Sequence, residues 1–325
     1  MGVTVQTENE YEDLLGLWSD LEAGLGIILG SPANVQEFEK RVWQYDRWLQ
    51  DLLVRDPDMG LYLLFQLATN SPVGYSASHA LVSAALCHLV ATELKLPQSE
   101  RDNLVHAALT MNMAMTTLQD QLAGQIERPT AEQQDAIQAH AASTVLMLKK
   151  LGVVDKLWLD TVALHHDEST GTGVLTTKPP ASRLARILRM VDRYAALISP
   201  RKSREGRTTT DSVQLIIGKS IKQQDEVGQA LMGVVGGYPP GTYVRLASQE
   251  LAVVVRRSNT PSQPFVVVVA DEAGARLNPP RLHRVAGGGA GIKMALTNAA
   301  MRMHLSHHLI LRLSASAVTA ESGRS

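Results

Sequence analysis

The 325-residue sequence predicts a mainly α-helical protein with a small antiparallel β segment near its C-terminal end. Three observations carry this. Apolar residues recur at helical spacing in segment after segment between residue 9 and about residue 197, each bounded by Pro, Gly or a capping residue. Beyond Gly236-Gly237-Tyr238-Pro239-Pro240-Gly241 the character changes to β-branched runs separated by turn residues. Hydrophobic residues make up 45% of the chain but aromatic ones only 4%, a composition of Leu, Val and Ala that suits helices.

Residues 9–30 read as one amphipathic helix closed by Gly30-Ser31-Pro32. Residues 34–56 read as a second, with Phe38, Val42, Tyr45, Trp48, Leu49, Leu52 and Leu53 on one face. Asp56-Pro57-Asp58 opens a third that runs to Thr69. A strongly apolar helix follows from Tyr75 to Leu96. Pro97-Gln98-Ser99-Glu100 then starts another, carrying Leu104, Val105, Ala108, Leu109 and Met113. Pro129-Thr130-Ala131-Glu132 caps a helix that stops at Gly152, and residues 155–168 form the next. Pro179-Pro180 begins a helix halted by Pro200.

Tyr243–Leu246, Leu251–Val255 and Phe265–Val269 are the expected strands. Residues 286–291, AGGGAG, read as a flexible link; Ile292 between Gly291 and Lys293 breaks any phosphate-loop pattern. Met301–Leu313 alternates apolar and polar residues and is expected to add a strand. On such a strand His304 and His308 would stand about 13 Å apart, too far to share an ion. The division that results is an N-terminal helical region 1–70, a helical domain 71–235 and a β-rich region 236–325.

Composition narrows the functions. A formal charge of −1 gives no basic field for nucleic acid. The lone Cys87 excludes an intramolecular disulfide and sits in an apolar segment as a small hydrophobe. The first residues lack the order of a signal peptide, so a cytoplasmic protein is expected. Leu61–Thr92 carries no Asp, Glu, Lys or Arg, but Asn70-Ser71-Pro72 and Gly74 cut it, so buried helices and not a membrane span are expected.

The chemistry concentrates at Leu164-His165-His166-Asp167-Glu168. Imidazole and carboxylate ligands suit divalent transition metals. Adjacent helical residues point about 100° apart, so the two histidines would serve two ions or two sides of one site. Alone, such a pair is better explained as surface or capping residues. Partners exist, however: His79 on the core stripe of its helix, His140 at the middle of another, and Asp192 in an otherwise apolar helix, where a buried carboxylate requires a donor, a cation or a metal.

This order of residues, with Ile187-Leu188-Arg189-Met190-Val191-Asp192-Arg193-Tyr194-Ala195-Ala196-Leu197 and Tyr238-Pro239-Pro240-Gly241-Thr242-Tyr243-Val244-Arg245-Leu246, resembles the HD-GYP branch of the HD metal-dependent phosphohydrolases, over roughly residues 75–257. The resemblance implies an HD-type helical bundle, here extended at its N-terminus, that holds two or three metal ions, commonly iron, manganese or similar, and hydrolyses cyclic di-GMP. It also implies that His79, His140, His165, His166 and Asp192 are metal ligands.

The departures are specific. The family's His-Asp doublet is matched by Asn112-Met113 and its lysine by Thr116; Gly-Tyr-Pro has become Gly173-Val174-Leu175. A thioether is a poor ligand for hard or borderline cations, which leaves Asn112 as a weak oxygen ligand. Two readings follow. One is a degenerate domain that acts as a non-catalytic or weakly active cyclic-dinucleotide signalling module, with signalling proteins as partners and room for a homodimer. The other is a phosphohydrolase with an altered site, where Asp167 or Glu168 is the general base. Arg201 and Arg204 are candidate phosphate contacts for either.

Overall fold

The computed structural model describes residues 8–70, 73–170, 173–199, 225–258, 260, 262–285, 291–297, 301 and 305–322. Its front part is helical: α1 (Glu8–Gly30), α2 (Phe38–Arg55) and α3 (Pro57–Asn70). α2 turns Phe38, Val42, Leu49, Leu52 and Leu53 inward and leaves Lys40, Arg41, Arg47, Asp51 and Arg55 in solvent. Asp56 caps α3 by accepting the Met59 N–H at 3.0 Å, which satisfies one of the orphan donors of its first turn.

α4 (Tyr75–Glu93) is the axis of the molecule. It is buried on nearly every side from Ser76 to Cys87, as its lack of charge requires. Its first turn is capped from elsewhere in the chain: Asp120, on α6 (Thr116–Gly124), accepts from the Ser76 N–H at 2.7 Å and from the Ser76 hydroxyl at 3.1 Å. α5 (Gln98–Thr110) and α9 (Pro180–Ile198) pack against it, and α8 (Lys156–Leu164) packs on both of these. α7 (Ala131–Lys150), opened by a Thr130/Gln133 capping box, lies at the edge against α8 and the 3-10 turn Met113–Met115. α10 (Glu226–Val235) completes the bundle beside α4 and α9.

Five antiparallel strands follow: β1 (Tyr243–Leu246), β2 (Leu251–Arg256), β3 (Phe265–Ala270), β4 (Arg276–Arg284) and β5 (Ile292–Leu296), in the order β4-β3-β2-β1-β5. The continuous valine runs of β2 and β3 reflect burial on both faces. Val253, Val255, Phe265, Val267 and Val269 enter the main core with the helices, whereas Val244, Ala252, Val254, Val266 and Val268 form a separate cluster on the other face. The main core runs from Leu14 to Ala317, so all three regions expected from the sequence contribute to it. Arg256 on β2 makes a buried fork to Asp56 at the start of α3, which ties the sheet to the front helices.

One expectation fails. Met301–Leu313 is not a strand: α11 (His307–Ser322) occupies its second half and packs on α1 and the sheet. Its buried residues Ile310, Leu311, Ser314 and Ala317 follow the helical period, which outweighs the short alternation. His308 is therefore helical, and His304 lies outside the described residues, as do residues 286–290 of the glycine-rich link. Among the described residues no helix is long and apolar enough to cross a membrane.

Candidate metal centre

α8 ends at Leu164, earlier than its sequence pattern implies, and His165 caps its C-terminus. The His165 and His166 rings lie 4.1 Å apart, centroid to centroid. Both approach His140, which α7 presents on its narrow buried stripe with Thr144 and Leu148; the ring centroids are 5.1 Å and 4.9 Å from it. Each of the three residues offers a ligand atom, all within 4.8 Å of one another. His140 and His165 are buried and His166 is exposed, so the cluster opens to solvent on one side. The adjacent pair thus serves one cluster.

Tautomers decide what this cluster can hold. His140 Nδ1 donates to the Ile137 carbonyl and His165 Nδ1 donates to the Val162 carbonyl at 2.6 Å. Both Nε2 atoms then carry lone pairs, and they face each other at 3.2 Å. Burial lowers the His140 pKa, and burial with His166 alongside pushes His165 down to about 3, so a shared proton is disfavoured near neutrality. Two lone pairs converging in a desolvated space fit a divalent transition ion, with His166 as a third ligand.

His79 and Asp192 form a second unit. The His79 Nε2–H donates to Asp192 Oδ1 at 2.9 Å, and Tyr75, one turn earlier on α4, stacks on the imidazole at 5.5 Å. His79 Nδ1 is buried with no hydrogen-bond partner among the described residues. Burial alone would raise the Asp192 carboxyl. The His79 hydrogen bond and the nearby imidazoles of His79, His165 and His166 override it and hold the group at about 2. Asp192 is thus an anion that feels both units. The charge of Asp192 also adds to the burial that pushes the Cys87 thiol up, so this cysteine is inert.

The positions matched to the family doublet part company. Met113 packs in the main apolar core at 4% exposure, while Asn112 is half-buried at the end of α5. The turn they begin is pinned to α7 by the Ala114 N–H, which donates to Thr144 Oγ1 at 3.2 Å, one turn from His140. Asp167 is occupied locally: its two oxygens accept from the Ser169 N–H at 2.8 Å and the Ser169 hydroxyl at 2.7 Å, which lowers its pKa and weakens it as a base. Glu168 is exposed at the start of a 3-10 turn. Arg201 and Arg204 lie outside the described residues.

Sequence reasoning missed Tyr75 and Arg189. Arg189 Nη1 donates to the Asp167 carbonyl at 3.0 Å and so holds the turn that follows the histidine pair. Spacing could have found both, since Tyr75 is four residues from His79 and Arg189 three from Asp192.

Imidazoles gathered from α7 and the end of α8, with a His–Asp pair joining α4 to α9, define a helical metal-centre scaffold. The chain belongs to the HD domain family, whose model matches residues 63–225. It is 26% identical over 207 residues to cyclic di-GMP phosphodiesterase PA4108 of Pseudomonas aeruginosa, a stretch that covers 63% of this chain and 49% of that protein, so the chain spans about half the length of this curated relative. Its fold is that of the HD-GYP branch. Bd1817, a HDG"Y"P protein from Bdellovibrio bacteriovorus, superposes with a TM-score of 0.51 at 12% identity, over 70% of this chain and 72% of that one.

Proposed function

We propose that this chain is a non-hydrolytic or weakly hydrolytic HD-type signalling module that binds a phosphorylated small molecule, cyclic di-GMP first among the candidates, in the cytoplasm. One observation carries the reading. Among the described residues, the group of convergent ligand atoms consists of three imidazoles with no carboxylate among them. His140, His165 and His166 would hold a single ion such as iron or manganese, and such an ion would supply Lewis acidity toward a phosphoryl oxygen. Two-ion hydrolysis needs an anionic oxygen shared between the ions, and Asn112-Met113 offers a neutral amide and a core-packed thioether. The relative's name supports the choice of messenger.

A one-metal hydrolase is the second reading. It is favoured by Asp192, an anion within electrostatic reach of His165 and His166 that could complete a coordination shell by leaving His79. Calorimetry with cyclic di-GMP, alongside chromatography of the same mixture, separates the two. Binding without product supports the module; turnover abolished by His166→Ala supports the hydrolase; neither binding nor turnover removes both.

A further inference from the structure

α7 is sparsely covered: of its twenty residues only His140, Thr144 and Leu148 are buried. Such a surface ordinarily carries charge, as α2 does with Lys40, Arg41, Arg47, Asp51 and Arg55. Residues 136–148 contain no Asp, Glu, Lys or Arg, and Ala136, Ala139, Ala142, Ser143 and Leu146 stand exposed along the outer face. Leu146 is 62% exposed. Charge is confined to the two ends, with Glu132 and Asp135 at the first and Lys149 and Lys150 at the last. The helix dipole favours that placement of the ends but gives no reason for an uncharged middle.

We propose that this face pairs with the same face of a second copy of the chain, antiparallel, about a two-fold axis that passes at Ala142. Ala142 is midway between Asp135 and Lys149, which are about 21 Å apart along the helix. In that register Asp135 of each copy meets Lys149 of the other, and Glu132 meets Lys150 within a turn, so both ends are neutralised and the two dipoles oppose. Ala139, Ala142 and Ser143 permit close approach at the crossing, and Leu146 of one copy settles beside Gln138 and Ala139 of the other.

The flanking loops extend the match. Ile126 is 70% exposed ahead of α7 and Val154 is 81% exposed beyond it. Each lies just beyond one end of α7, so the same symmetry brings Ile126 of one copy to the end where Val154 of the other lies. Two of the four largest exposures among the large hydrophobic residues, with Leu146 between them, are thus covered by one symmetric contact.

The test uses the full chain. Sedimentation and light scattering should give twice the 35.3 kDa chain mass at micromolar concentration. Leu146→Glu should weaken the association about tenfold or more. Ala142→Cys should form an inter-chain disulfide under mild oxidation, because the native Cys87 is fully buried and cannot compete. Lys149→Glu with Lys150→Glu should give monomers that associate again only when mixed with chains carrying Glu132→Lys and Asp135→Lys. A monomeric wild type overturns the proposal and leaves the face to another partner. A dimer indifferent to Leu146→Glu and to charge reversal places the contact elsewhere and overturns it equally.

Discussion

The Nε2 atoms of His140 and His165 face each other at 3.2 Å while both Nδ1 atoms are committed to backbone carbonyls. This arrangement leaves two lone pairs in want of a cation. His140→Ala and His165→Ala should each lower the affinity for a divalent transition metal by at least about a hundredfold, beyond the loss typical of residues outside the coordination shell. His88→Ala, on the same α4 helix as His79 but outside the imidazole cluster, should leave it unchanged. Competition against a chromogenic chelator measures all three.

Asn112 and Met113 should respond oppositely to an added acid. Asn112→Asp places a charge at a half-buried position near the turn that rests on α7, and metal affinity should rise about tenfold or more. Met113→Asp buries a carboxylate in the apolar core and should cost several kcal/mol of stability in urea titrations, without a gain in metal.

Asp192 gives the metal-free protein a defined acid response. Its carboxyl is held at about 2 against an ordinary value of 3.8. A depressed folded-state pKa contributes stability that is present above the unfolded value and lost as pH falls through the folded one. The wild type should therefore exceed Asp192→Asn by about 2 kcal/mol at neutral pH, and the difference should shrink between about pH 4 and pH 2. Denaturant midpoints across that window provide the measurement. A difference that stays constant would show that the His79 contact does not depend on the charge.

The buried Asp56–Arg256 fork joins α3 to β2, and Asp56 also caps α3. Asp56→Ala leaves the guanidinium uncompensated and should destabilise the fold by about 3–5 kcal/mol in chemical denaturation, whereas the double change Asp56→Leu with Arg256→Met should recover much of that loss.

How far the sequence foretold the molecule depends on which signal carried each element. The helices from α1 to α9, apart from the short α6, were legible because apolar spacing and caps such as Thr130/Gln133 and Asp155 agree. α6 and α10 were missed because α6 carries only Leu118 and Leu122 as large apolar residues and Gly228 and Gly233 interrupt α10. β4 was missed because Pro279-Pro280 argue against a strand, yet β4 is an edge strand, where missing donors cost little. Met301–Leu313 misled because alternation over a few residues outran the helical period that tertiary packing selects in α11. At the site, His140, His165 and His166 converge as a cluster, while His79 and Asp192 pair with each other, a division no spacing could reveal because it depends on which ring nitrogen faces which partner.

The central claim is best tested by emission spectroscopy for metal on the purified full chain, combined with chromatography of cyclic di-GMP incubated with it. At most one transition ion per chain, lost in His166→Ala, and a dinucleotide that stays cyclic are the expected results. Two ions per chain with cleavage that disappears in His166→Ala would contradict it.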